Sequence, residues 1–401
     1  MKTKLITLGF FSFLFLSIQA QESNAPAFGK GLFNLVGKDS TWTMKIATRM
    51  QFLAIAEWQE GPDGGLVDPE SNFLVRRARL KFDGFAYSPK LRYKIELGLS
   101  NRDMSGVSEF TSNSPRYIMD AVVMWNFYEN FELWVGQTKL PGNIERVISS
   151  GNLQQVDRSL VNRRFNIDRD QGIQLRHHAY LAEKFLIREK LAISQGEGRN
   201  VTGGNLGGHQ YTARLELLPM GEFEGGGDYS GGDLKREETP KLLLAATYDS
   251  NQDAVRTRSN MGSYMSNDVG LYETTINTLF IDLMFKFNGF SLMGEYAERD
   301  ASDPIAKNSD GTPTGAVVQV GKGINLQGGY LFPSNWEVSG RYTNIKLDET
   351  ITGANPQTQY TLGLSKYIVG HKLKVQTDLS FLSEEGGPDQ LMYRLQLDVH
   401  F

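Results

Sequence analysis

The chain has 401 residues, with 42 Lys and Arg against 46 Asp and Glu, and it contains no cysteine. A chain without cysteine has no disulfide framework and no thiolate metal site. The acidic balance argues against a nucleic-acid partner, which would need a basic surface to displace counterions.

Residues 1–20 read as a secretory signal peptide. Lys2 and Lys4 precede the apolar stretch Leu5 to Ile18, and Ala20 gives the small residue before a cut at Gln21. Removing this segment takes two lysines, so the exported chain carries 40 basic residues against 46 acidic ones, a net charge of −6. Residues 21–41 are then expected as a periplasmic N-terminal segment, and 42–401 as one β-domain. After the signal no apolar run approaches the roughly 20 residues of a spanning helix.

From residue 42 the sequence predicts sixteen strands: 42–59, 73–87, 89–101, 117–127, 130–139, 170–180, 184–196, 209–219, 241–250, 274–288, 289–300, 317–331, 335–346, 357–369, 371–382 and 389–401. The evidence is a period of two. Leu91, Tyr93, Ile95, Leu97 and Leu99 face one way, and Arg92, Lys94 and Glu96 the other. At the end of the chain Tyr393, Leu395, Leu397, Val399 and Phe401 oppose Arg394, Gln396, Asp398 and His400. A strand ending on an aromatic residue is similar to the C-terminal assembly signal of bacterial outer-membrane β-barrels.

Tight links follow the even strands, as at Ser88-Pro89, Asn288-Gly289 and Gly370. Longer polar links follow most odd strands, at 60–72, 102–116, 140–169, 251–273 and 301–316. Short turns on one rim and long loops on the other mark an outer-membrane barrel. One link breaks the pattern. Met220 to Pro240 follows an even strand yet is long, acidic and glycine-rich, which means either an insertion or a miscount. The expected fold is therefore all-β: a transmembrane antiparallel β-barrel of about sixteen strands, wide enough for an aqueous channel. A soluble β-sandwich has alternating strands too, but it does not explain the signal, the terminal Phe401 and the loop asymmetry together.

Function depends on the lumen face. In the second strand Arg77, Arg79, Lys81 and Asp83 alternate with apolar residues, and charge belongs inside because facing lipid costs about 2–4 kcal/mol near the midplane. A two-residue hairpin at Ser88-Pro89 would set Lys81 opposite Glu96 and Asp83 opposite Lys94, neutralising both pairs. Arg77 and Arg79 would stay unpaired, with Arg49 and Arg92 as neighbours. The longest link adds Arg146, Arg158, Arg163, Arg164 and Arg169 against Glu145, Asp157 and Asp168. A guanidinium is a planar fork that matches phosphate or carboxylate oxygens. These arginines point to an anion path, with Arg77, Arg79, Arg163 and Arg164 expected to dominate selectivity. The alternative is that they tie the loop to the wall.

Several pieces, in this order and spacing, resemble the phosphate-selective porin O and P family: Arg76-Arg77-Ala78-Arg79-Leu80, Gly136-Gln137-Thr138-Lys139-Leu140-Pro141, Glu145-Arg146, Asp157-Arg158-Ser159-Leu160 and Arg169-Asp170-Gln171-Gly172-Ile173-Gln174-Leu175. The resemblance implies a sixteen-stranded homotrimeric channel in outer-membrane lipid, with an inward loop and lumen arginines that pass small anions such as phosphate. A non-selective porin and a closed scaffold barrel whose loops bind partners are the competing readings. No cofactor or metal is expected. His177 and His178 are strand neighbours pointing to opposite faces, so neither a metal pair nor an enzyme is indicated.

Overall fold

The computed structural model describes residues 26–104 and 106–401; the signal peptide expected at 1–20 lies outside them. Sixteen strands close into one antiparallel barrel. They are β1 (Thr43–Glu60), β2 (Leu66–Ala86), β3 (Ser88–Gly98), β4 (Ile118–Tyr128), β5 (Phe131–Lys139), β6 (Arg169–Tyr180), β7 (Leu186–Ser194) and β8 (Gln210–Leu218). Then follow β9 (Lys241–Ala254), β10 (Thr274–Phe287), β11 (Phe290–Ala301), β12 (Gly321–Leu331), β13 (Trp336–Leu347), β14 (Gln357–Val369), β15 (Leu373–Glu384) and β16 (Gln390–His400). Every strand expected from the alternation is present. β16 returns to β1, from Arg49 opposite His400 to Gln59 opposite Gln390, and this seam removes the sheet edges. Below it, Phe33–Val36 folds back beside Thr43–Ile46 and continues the pairing where β16 has ended.

The barrel is inside-out relative to a soluble protein. On β16, Leu395 and Leu397 are 43% and 39% exposed, whereas Gln396 and Asp398 are 1% and 0% exposed. Apolar side chains outside and polar ones inside suit a wall between hydrocarbon and water.

The first hairpin corrects one expectation. The link expected at 60–72 is mostly strand, because β1 and β2 stay paired up to Glu60 opposite Leu66. Asp68-Pro69 reads as a breaker, yet it sits where the register slips between Glu57 and Gln59, so no ladder bond needs the missing proline N–H.

Two segments fold into the lumen. The link between β5 and β6 carries helices α1 (Ile144–Val147) and α2 (Leu160–Phe165). Its Ile144, Ile148 and Leu153 pack with Leu186, Leu218, Leu243 and Met284 of the wall. Val161, Phe165 and Ile167 pack with Phe280, Ala297 and Ile345. Residues 219–240 enter from the short-turn rim, so the strand count stands and the irregular link is an insertion. Lys286 donates to the carbonyls of Gly227 and Ser230, both at 2.8 Å, and to that of Gly232. The Gly231 N–H then meets the Asn152 carbonyl of the inward loop at 2.6 Å. Together the two segments fill much of the lumen, the inward loop reaching from Leu186 of β7 to Lys374 and Gln376 of β15, which donate to its Leu153 and Gln154 carbonyls. Open space remains along β2–β6.

Candidate functional site: a cationic passage beside the inward loop

The arginine-rich segment of β2 owes its geometry to a bulge. Gln51 opposes Arg77 while Phe52 opposes Val75, leaving Arg76 without a partner residue. An extra residue re-aims the side chains around it, so Arg76 and Arg77 both turn inward, where strict alternation would send Arg76 to lipid. Arg76 is ion-paired with Asp157 of the inward loop. Arg77 donates to the Gln51 carboxamide and makes no ion pair among the described residues.

Arg79 corrects an expectation: it is not unpaired. Its guanidinium grips Asp103 at 2.8 and 2.7 Å and Glu96 at 2.8 Å. The expected register is present, with Lys81 opposite Glu96 and Asp83 opposite Lys94, but the ion pairs are not the ones that register suggests. Lys81 pairs with Asp83 of its own strand at 3.0 Å. Lys94 bridges Asp120 at 2.6 Å and Glu96 at 2.9 Å. Long flexible side chains reach past the residue directly opposite. Arg92 pairs with Glu132 at 2.6 Å near the short-turn rim. Arg49 is buried in a pair with Asp398 and holds the Ser150 hydroxyl at 2.7 Å, so it fastens the loop instead of facing open space.

Within the inward loop Glu145 and Arg146, adjacent in sequence, find separate partners. The Glu145 carboxylate accepts the Ser159 N–H at 3.0 Å and its hydroxyl at 2.6 Å. Arg146 pairs with Asp168, and Arg169 with Asp120 at 3.0 Å. Arg158 donates to the carbonyls of Glu145 and Ile148 at 2.8 and 2.7 Å. Lys139 caps the end of α1, donating to the carbonyls of Arg146, Val147 and Ile148 at 2.7, 3.1 and 3.1 Å. Cations favour helix C-termini, where carbonyls lack partners. Arg163 and Arg164 lie on α2 outside the passage; Arg163 is exposed, and Arg164 reaches Gln357 at 3.5 Å.

What remains open is a cavity of about 640 Å³ between this loop and the β2–β6 wall. Thirteen cations line it against four carboxylates. The carboxylates Glu96, Asp103, Asp120 and Asp168 are all committed to Arg79, Lys94, Arg146 and Arg169. Seven other cations are held by neutral groups. Besides Arg77, Lys139 and Arg158, these are Arg176 on the Gln174 carboxamide at 2.7 Å, Arg199 on the Asp103 carbonyl, Arg256 on the Glu197 carbonyl at 2.6 Å and Arg258 on the Arg163 carbonyl. A carbonyl fixes a guanidinium in place but leaves its charge uncancelled. Burial lowers Arg199 to about 9 and Arg256 to about 10, so both stay charged at neutral pH.

Sequence reasoning missed Lys139, Arg176, Arg199, Arg256 and Arg258. A signal existed for two of them, since Arg256 and Arg258 sit two apart in a long link on the same rim as the expected loop. Arg176 and Lys139 are single charges, and only the closed barrel aims them at one space.

A family model described as "Phosphate-selective porin O and P" matches residues 57–383. Among solved structures the chain is similar to the OmpF of Salmonella typhi (14% identity, TM-score 0.55), covering 92% of this chain and 100% of that one. It is similar to the anion-selective porin of Comamonas acidovorans (11% identity, TM-score 0.54, 90% and 100% covered). A third is the outer membrane channel DcaP of Acinetobacter baumannii (14% identity, TM-score 0.53, 92% and 100% covered). At such identities these likenesses concern the fold. No curated protein matches the chain.

Proposed function

Because the chain belongs to the phosphate-selective porin O and P family, and is thus an outer-membrane channel and not an enzyme, we propose that it is a passive diffusion pore that prefers anions and takes phosphate among them. The observation that carries this reading is the set of lumen cations held by neutral oxygens. They present positive charge to the passage without a carboxylate to quench it. A pore must attract an ion and still release it, so several shallow sites conduct better than one deep one. Arginines and a lysine spaced along a narrow route raise the local anion concentration and hand the ion from one fork to the next. Residues 21–41 belong to the periplasmic side in this reading, with the short turns, and the channel assembles as a homotrimer in outer-membrane lipid.

The test is the reversal potential of the refolded protein in a planar bilayer under a potassium chloride gradient, followed by added phosphate. Anion-selective steps that millimolar phosphate blocks support the reading. Cation-selective steps sink the anion preference, unblocked anion-selective steps remove phosphate, and no conductance at all favours a closed scaffold barrel.

A further inference from the structure

Phosphate alone does not account for the shape of the passage. The cavity of about 640 Å³ falls within the roughly 300–1,000 Å³ of sites that hold drug-sized ligands. Its lining keeps nine more cations than carboxylates, far beyond the charge of one orthophosphate. The lining is also not purely polar, for Met119, Trp134 and Met261 share it. Polarisable sulfur and an indole have no use for a bare oxyanion but make favourable contacts with flat rings.

The most specific feature is a stack. The Arg176 guanidinium lies over the Trp134 ring, 3.5 Å from its centroid. Its nitrogens are anchored at the edge by the Gln174 carboxamide at 2.7 Å, and the Trp134 N–H is fixed on Glu132 at 2.9 Å. A guanidinium plane held this way is a platform on which an aromatic ring stacks, as bases do on arginine in RNA recognition. Arg176 also lines the smaller cavity of about 270 Å³ at the short-turn mouth, so it stands where the central passage meets its exit.

Resting on the anion-channel reading above, we propose that the preferred permeant is a nucleotide-class anion, with several phosphate charges and a planar ring. Its phosphates engage the neutral-held cations Arg77, Lys139 and Arg158, while its ring stacks at Arg176 and Trp134. Binding energy is thereby split between charge and stacking, and each part stays weak enough for release.

The experiment is block of chloride current through the refolded full chain by ATP, tripolyphosphate and orthophosphate. ATP should reach half-block at a concentration at least tenfold below orthophosphate and several-fold below tripolyphosphate, which carries comparable charge without a ring. In Trp134→Leu the ATP value should rise to that of tripolyphosphate. Arg176→Lys, which keeps the charge but loses the plane, should do the same without opening a gap in the wall. Equal block by ATP and tripolyphosphate in the unaltered protein overturns the proposal, as does an ATP advantage that survives both substitutions. A cation-selective reversal potential would instead overturn the parent reading, so the two failures are separable.

Discussion

Arg49 on the first strand and Asp398 on the last are joined by two hydrogen bonds, 2.9 and 2.6 Å, across the seam that closes the barrel. The same guanidinium binds the Ser150 hydroxyl at 2.7 Å and the Ser150 carbonyl at 3.0 Å. One side chain therefore couples closure of the sheet to placement of the inward loop. Removing it leaves Asp398 buried without its main counter-charge, a loss of about 3–5 kcal/mol for a pair of this kind. Arg49→Ala should lower the temperature at which the folded form disappears on a semi-native gel, and its single-channel current should become noisier. An unchanged melting temperature would mean that the seam does not depend on this pair.

Charge held by neutral oxygens should govern selectivity more than charge already committed to carboxylates. The double variant Arg77→Gln with Arg158→Gln removes two such cations without freeing an acid from an ion pair. Its reversal potential should move toward the cation side. The pair Arg163→Gln with Arg164→Gln, which lies outside the passage, should move it much less. Equal shifts from both pairs would show that the long-range field of the lumen, and not local access, sets selectivity.

The insertion at 219–240 supports the inward loop from below. Replacing residues 222–238 with a short glycine-containing turn removes the three carbonyls that hold Lys286 and the contact between Gly231 and Asn152. Single-channel conductance should rise, because space filled by protein becomes water. A conductance no larger than that of the intact protein would place the limiting constriction wholly within the inward loop.

A pH dependence is expected at the long-loop rim. Burial, and next the nearby Asp170, push the Glu197 carboxyl up to about 7. It accepts the N–H groups of Leu206 and Gly207 at 3.1 and 3.3 Å. The folded state holds this proton more tightly than the unfolded one, whose value is near 4.5. The contribution is thus complete below about 4.5 and is lost as pH rises through about 7. Amide exchange at Leu206 and Gly207, corrected for intrinsic base catalysis, should quicken between pH 6 and 8 (a window of about one unit either side of the midpoint). Glu197→Gln should abolish that step, and a step that persists in the variant would assign it to another group.

The wall is legible in local pattern. A strand between lipid and water must alternate, and its ends must turn, so all sixteen strands and even the Lys81–Glu96 and Asp83–Lys94 register were readable from local pattern. Tertiary structure alone decided what the wall encloses. The bulge at Arg76 breaks the period of two on which the strand reading relies. Arg79 was expected to be unpaired because the register gives Glu96 to Lys81, and because Asp103 lies beyond the strand, on a link whose path the sequence does not fix. Glu145 finds Ser159, and Arg49 finds Ser150, across separations that no periodicity reports. Alternation is a one-dimensional constraint set by the solvent on each side of a strand. Which charges are quenched is a three-dimensional one, set by how two long links fold back into the lumen and by side chains long enough to choose among several partners there.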